Sequence, residues 1–548
     1  MNPEPRSGSL RANIVNLPER RISSGSLAWT DGVITQVEES GPEDPGLTYL
    51  IPGFIDAHVH IESSMLVPSE FARLACRHGT VATVSDPHEI ANVLGLEGVR
   101  FMLANAAEVP FKMFFGAPSC VPATPFETAG ATLGVEELGT LLRDDGLLYL
   151  SEMMNFPGVL ERDPAVMEKI ALARHLGLPV DGHAPGLMGE AARRYAQAGI
   201  STDHECTTLE EAQDKIAAGM HILIREGSAA RDFDALHPLI SSHPDRVMLC
   251  SDDKHPDDLV KGHIDRLAAR AVAAGHAPLD VLRCACLNPV RHYRLPVGLL
   301  RVGDPMDAAE VADLKDFRPQ RTWVDGQLVA EGGHSHMPRV LVTPVNRFHT
   351  HRITPESLAI PAGPEHIRVI DALDGQLITL TTLATPRVVD GSIVPNPEKD
   401  VLYLMVLNRY ADTPPALAFV HGFGLRSGAI ASSVAHDSHN IVAVGTDAES
   451  MCRVVNALVD ACGGIAVDSG RETARLPLPV AGLMSADDGD EVAARYAALT
   501  AKARALGSPL RSPFMTLSFM ALLVIPELKL SDRGLFDGRR FQFTELAA

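Results

Sequence analysis

Between residues 50 and 251, short apolar runs alternate with amphipathic stretches, and this alternation most constrains what the chain can fold into. A brief apolar run bounded by turn residues reads as a strand buried on both faces. A stretch with apolar residues three and four apart reads as a helix. Eight such runs fall at 50–57, 80–85, 111–116, 147–151, 179–182, 200–203, 220–225 and 246–251. Helices are expected between them, including 69–78, 164–176, 209–218 and 257–273. Eight strands each followed by a helix is the count of a (β/α)8 TIM-like barrel, an α/β architecture.

A chain of 548 residues exceeds one ordinary core, so further domains are expected around that unit. Alternating runs at 12–17 and 27–37 flank Asp31-Gly32, a hairpin signal. The same strand-and-turn texture returns at 297–335, with Trp323-Val324-Asp325-Gly326. We therefore expect a discontinuous small β-sandwich domain from 1–50 plus 297–335. The barrel is expected at 51–296 and an additional C-terminal α+β domain at 340–548.

The 48 Lys and Arg against 69 Asp and Glu leave a net charge of −21. An acidic surface repels both a phosphate backbone and an anionic bilayer, so no nucleic-acid or membrane partner is expected. The longest apolar stretch, 514–525, contains Thr516 and Ser518 and is too short to span a bilayer; it is expected in the core. The N-terminus has no apolar segment after a basic start. The eight cysteines form no CxxC pair, which suits reduced thiols and a cytoplasmic location.

The chemistry concentrates where barrel catalytic groups collect, at the C-terminal ends of the strands. The first run ends in Asp56-Ala57-His58-Val59-His60, and residues two apart on a strand face the same way. The fourth run ends at Glu152, the fifth at His183, the sixth at His204 and the eighth at Asp252. Imidazole and carboxylate together suit Mn, Fe(II) or Zn, and one carboxylate can bridge two cations. We assign His58, His60 and Asp252 to one metal, His183 and His204 to a second, and Glu152 to the bridge. Such a pair would generate a bridging hydroxide, with Asp252 accepting its proton and passing it to the leaving group.

Pro52-Gly53-Phe54-Ile55-Asp56-Ala57-His58-Val59-His60 and the later Asp181-Gly182-His183, Asp203-His204-Glu205 and Ser251-Asp252-Asp253 resemble the amidohydrolase superfamily. Leu287-Asn288-Pro289 and the 302–307 segment are similar to its re-entry into the small β domain. His60 to Met65, Ser85-Asp86-Pro87-His88-Glu89-Ile90, Ser151 to Asn155 and Ser432 to Asn440 look like the adenine deaminase family in particular. Many binuclear members of the superfamily use a carboxylated lysine where this chain has Glu152. Many of its deaminases use one metal; the Glu152 bridge implies two, as in adenine deaminases.

The resemblance implies adenine as substrate and two divalent metal ions, Mn2+ first, with Fe2+ or Zn2+ also suited to the ligands. Another aminopurine or a cyclic amide is the alternative substrate, and a homodimer is the expected assembly. His88 or Glu89 would then protonate a ring nitrogen of adenine as hydroxide adds to C6; Asp86 and His88 are alternatively placed to hold a further cation. The bland reading of the same loop is a helix start capped by Asp86 and Glu89. Arg225 is read as touching the base or forming an ordinary ion pair. His436 and His439, with His421 upstream, could suggest another metal site, but no third or fourth ligand is evident, and they are read as polar packing or a subunit contact.

Overall fold

In the computed structural model, which describes residues 6–548, mixed sheets and helices build an α/β molecule; the first five residues of the expected 1–50 segment lie outside the described part. The eight apolar runs become parallel strands at Phe54–Val59, Thr80–Ser85, Lys112–Phe115, Leu150–Met153, Val180–Gly182, Thr202–Asp203, His221–Arg225 and Val247–Cys250. Consecutive strands lie side by side through direct pairing, through the Ala117–Leu150 bridge, and through Ser201 N donating to Val180 O at 2.9 Å. The eighth strand then returns to the first: Val59 bridges Asp252, and Asp252 N donates to His58 O at 2.9 Å. This is a TIM-barrel-like arrangement. Phe54–Val59 and Thr80–Ser85 are buried at every residue, as strands covered on both faces should be.

Two elements between residues 50 and 296 differ from the sequence expectation. The run at 50–57 divides into Tyr49–Pro52, which joins a different sheet, and Phe54–Val59. The break falls at Gly53, where a Cβ would sit 2.2 Å from Val81 Cγ1, so only glycine permits this close passage. The helix expected at 257–273 is two helices, Pro256–Leu259 and Ile264–Ala273, separated across Gly262. By contrast Pro164–His175 starts as expected, with Asp163 accepting from Ala165 N and Val166 N and proline at the first position.

The N-terminal strands rejoin 308–335 in one eight-stranded sheet that also includes Tyr49–Pro52. Trp29 and Trp323 pack edge to face at 6.1 Å between its two sequence segments. The run at 27–37 is likewise two strands, Arg21–Thr30 and Val33–Pro42, meeting at Asp31-Gly32. Pairing makes this region a single sheet rather than two separate ones.

After residue 340, a second eight-stranded sheet runs from Thr379–Ala384 at one edge to Thr473–Pro477 at the other, with helix Ala448–Ala461 packed against it. This region docks on the loops that follow the parallel strands. Ser485 N donates to Met65 O at 2.8 Å, Val67 N donates to Ser485 O at 3.1 Å, and Tyr496 OH bonds His255 Nδ1 at 2.5 Å. The stretch at 514–525 is buried, as expected, and reaches the pocket described below. Among the described residues no helix is long and apolar enough to cross a membrane.

Candidate active site

The ends of the parallel strands bring all six expected ligands into one buried cluster. His58 lies in the first strand and His60 just past its end, and their Nε2 atoms approach to 3.2 Å. Asp252 Oδ1 stands 3.6 Å from His58 Nε2 and 3.3 Å from His60 Nε2. Glu152 spans the centre. Its Oε1 lies 3.3 Å from His60 Nε2, while its Oε2 lies 2.7 Å from His183 Nδ1 and 3.1 Å from His204 Nε2.

Several contacts fit this donor set to a metal. His60 Nδ1 faces the Asp86 carbonyl at 3.2 Å, so it carries the proton and leaves the Nε2 lone pair aimed at the cluster. His183 Nε2 is buried with no hydrogen-bond partner. Burial alone would lower the His60 pKa, yet Asp252 and Glu152 hold it well above the ordinary imidazole value. His183 is likewise lifted to about 9 against burial, by Glu205 and Glu152. A cluster that raises its imidazoles in this way carries a negative potential suited to a divalent cation.

The aspartates paired with the histidines in sequence have a separate task. Asp56 accepts from Ser251 N at 2.9 Å, from Ser251 Oγ, and faces His263 Nε2 at 2.8 Å, tying the first strand to the eighth. Asp203 pairs with buried Lys215 at 3.1 Å and accepts from Ala184 N at 3.0 Å. Asp181 accepts from Thr202 Oγ1 and Tyr293 OH, both at 2.8 Å. These carboxylates fix neighbouring strands so that the histidines beside them converge.

Arg225 proves to be an ion-pair hub next to the expected ligands. It holds Asp252 Oδ2 at 2.9 Å, Asp232 Oδ2 at 2.9 Å, and both oxygens of Glu205, with Nη2 to Oε2 at 3.0 Å. Burial would raise Asp252, but its hydrogen bonds to His58 and His60 and the charge of Arg225 keep it well below the carboxylate range.

The loop after the second strand faces the same pocket. His88 Nδ1 lies 3.1 Å from Asp86 Oδ2 and 3.3 Å from Glu152 Oε1. Asp86 Oδ1 accepts from His88 N at 3.1 Å, but helix His88–Leu94 has no side-chain cap, and Glu89 turns away from the helix start. Glu89 instead meets His439 Nε2 and His436 Nδ1, both from the C-terminal region. Ligand atoms of His60, Asp86, His88 and Glu152 lie within 4.8 Å of one another, as do those of His88, Glu89 and Asp437.

The C-terminal region thus forms a wall of the pocket, through His436, Asp437, Phe519, Leu522 and others. His436 and His439, read from sequence as polar packing or a subunit contact, face the active-site loop of their own chain. His421 is not part of this group; it pairs with Asp371 at 2.6 Å. Sequence reasoning assigned no role to Glu205, Asp437 or Phe519. Glu205 had a signal, since it directly follows the expected ligand His204; the other two had none.

The chain is similar to known proteins along nearly its whole length. The amidohydrolase family model matches residues 49–329, and the adenine deaminase C-terminal domain model matches 376–542. An adenine deaminase of Salinibacter ruber is 55% identical, covering 99% of each chain. One from a Sulfurovum species is 54% identical over 98% of this chain and 99% of its own, and one from Methanosarcina acetivorans is 52% identical over 98% of each. The chain belongs to the adenine deaminase family. Membership makes it a hydrolase, and the buried histidine and carboxylate cluster of this adenine deaminase family member is the kind that holds divalent metal. The C-terminal family match covers the segment that contributes His436, Asp437 and Phe519 to the pocket.

Proposed function

We propose that this chain hydrolyses adenine to hypoxanthine and ammonia at a two-cation site. One observation carries the reading: the two oxygens of Glu152 face separate imidazole groups, His60 on one side and His183 with His204 on the other. A carboxylate so placed suits a bridge between two ions. His58, His60 and Asp252 would hold the first and His183 and His204 the second, with Mn2+ the ion expected and Fe2+ or Zn2+ acceptable. When bound, the two ions would lower the pKa of water and polarise the carbon under attack.

The residues of the chain then manage the protons. Asp252 takes a proton from the attacking water and hands it to the departing amine as the C6–N bond breaks. Arg225 fixes Oδ2 of Asp252, which keeps Oδ1 turned towards His58 and His60. His88 is assigned the proton that a ring nitrogen takes up: burial would lower it, but Glu89 and Asp86 hold it well above the ordinary imidazole range. Glu89 stays ionised in this scheme, because His436, His439 and His88 outweigh its burial. The same reading divides the chain into a (β/α)8 barrel at 51–296, a small β domain of 1–50 plus 297–335, and a C-terminal domain at 340–548.

The test is direct. Protein stripped of metal and reloaded with Mn2+ is given adenine, and ammonia is followed. Release in step with hypoxanthine is expected; bound metal without release overturns the reading.

A further inference from the structure

Two atoms that the C-terminal region brings to the pocket have no hydrogen-bond partner. Asp437 is 4% exposed and its Oδ2 is buried and unpaired, while Oδ1 lies 3.8 Å from His88 Nε2. His436, also 4% exposed, presents Nδ1 to Glu89 and leaves Nε2 without a hydrogen bond, 3.9 Å from Asp253 Oδ1. A buried polar atom without a partner is costly, more so when charged. On a pocket wall, such an acceptor is open to a ligand N–H.

The segment that carries Asp437 is fastened on both sides. Ser438 Oγ donates to Glu127 Oε2 at 2.7 Å, Tyr410 OH to Ser438 O at 2.6 Å, and Asn440 Nδ2 to Thr128 O at 2.9 Å. His439 Nδ1 accepts from Ala435 N at 3.1 Å, so its Nε2 carries the proton it gives to Glu89. Asp437 is therefore held in place by its neighbours. Phe519 packs 5.3 Å from the His436 ring, centroid to centroid, and adds an apolar surface to the same wall.

A free purine base carries one N–H in its five-membered ring, and a nucleoside has lost it to the sugar. We propose that Asp437 accepts this ring N–H, so that the pocket selects free purine bases over N9-substituted purines. The inference rests on the adenine reading above. A site built around a substrate N–H discriminates strongly because the analogue leaves the buried acceptor unpaired.

The test uses the metal-loaded full chain and direct binding by calorimetry. The probes are 7-deazaadenine, which keeps the ring N–H, and its furan analogue, in which a ring oxygen replaces that N–H. In the wild type the furan should bind about 100-fold more weakly, and in Asp437→Ala that ratio should fall to within about 3-fold. Asp437→Asn, of nearly equal shape, gives the same comparison should the alanine variant fail to fold, and its ratio should also fall. Metal content should match the wild type in both variants. Equal binding of the two probes to the wild type overturns the proposal, as does an unchanged ratio in the variants. Loss of a metal equivalent on changing Asp437 also overturns it, because Asp437 would then be a ligand. Ammonia release from adenine is scored separately, so failure of the adenine reading is distinguishable from failure of the Asp437 contact.

Discussion

Replacing Arg225 by Met removes the one cation that three buried carboxylates share. Arg225 is 3% exposed and holds Glu205, Asp232 and Asp252 at once. Breaking a buried ion pair by deleting one partner costs about 3–5 kcal/mol. The lower figure applies here, because Asp232 can take up a proton: burial outweighs Arg225 and already places it at about 6. Glu205 behaves oppositely. Burial pushes it up, but Arg225 holds it below the ordinary carboxylate value. A depressed carboxylate contributes stability above its unfolded pKa and loses it as pH falls through the folded one. The raised Asp232 contributes below its unfolded pKa and loses that contribution as pH rises through about 6. The wild type should therefore exceed Arg225→Met by about 3 kcal/mol at pH 8, and the gap should shrink below pH 6. For a chain of 548 residues one kcal/mol shifts the melting midpoint by about 1 °C, so the midpoint at pH 8 should drop by about 3 °C. Thermal melts followed by circular dichroism at pH 8 and 5.5 check this, with Arg225→Lys as the charge-preserving control. Equal midpoints at pH 8, or a gap that widens on acidification, would refute the assignment of Arg225 as the shared counter-charge.

Asp252→Asn should lower kcat by at least about 100-fold, the usual share of a proton-transfer group, and single-turnover ammonia release measures it. Unchanged kcat would remove Asp252 from the shuttle role. Gly53→Ala places a Cβ 2.2 Å from Val81 Cγ1, and the two strands must part to admit it. Denaturant melts should show a loss of about 1–3 kcal/mol, the usual cost of overpacking, whereas no loss would mean that the close passage is not constrained.

The sequence made the parallel strands legible because most are largely buried on both faces and so appear as short, mainly apolar runs between turn residues. It could not show that Tyr49–Pro52 leaves for another sheet, since the break at Gly53 depends on Val81, a residue of the next strand. The six proposed ligands were readable for a simple reason: each sits at or just beyond a strand end, where residue period and position are local properties. Asp437 and His436 were not, because what gives them meaning is Glu89 and His88, about 350 residues earlier in the chain. Arg225 was ambiguous for the same reason: its three carboxylate partners arrive from separate loops.

The central claim is a pair of cations joined by Glu152. Chelated protein can be titrated with Mn2+ while bound metal per chain and ammonia released from adenine are measured together. Activity should reach its plateau at two equivalents, and Glu152→Gln should retain fewer than two and release little ammonia. Full activity at one equivalent, or two bound in Glu152→Gln with undiminished release, would contradict it.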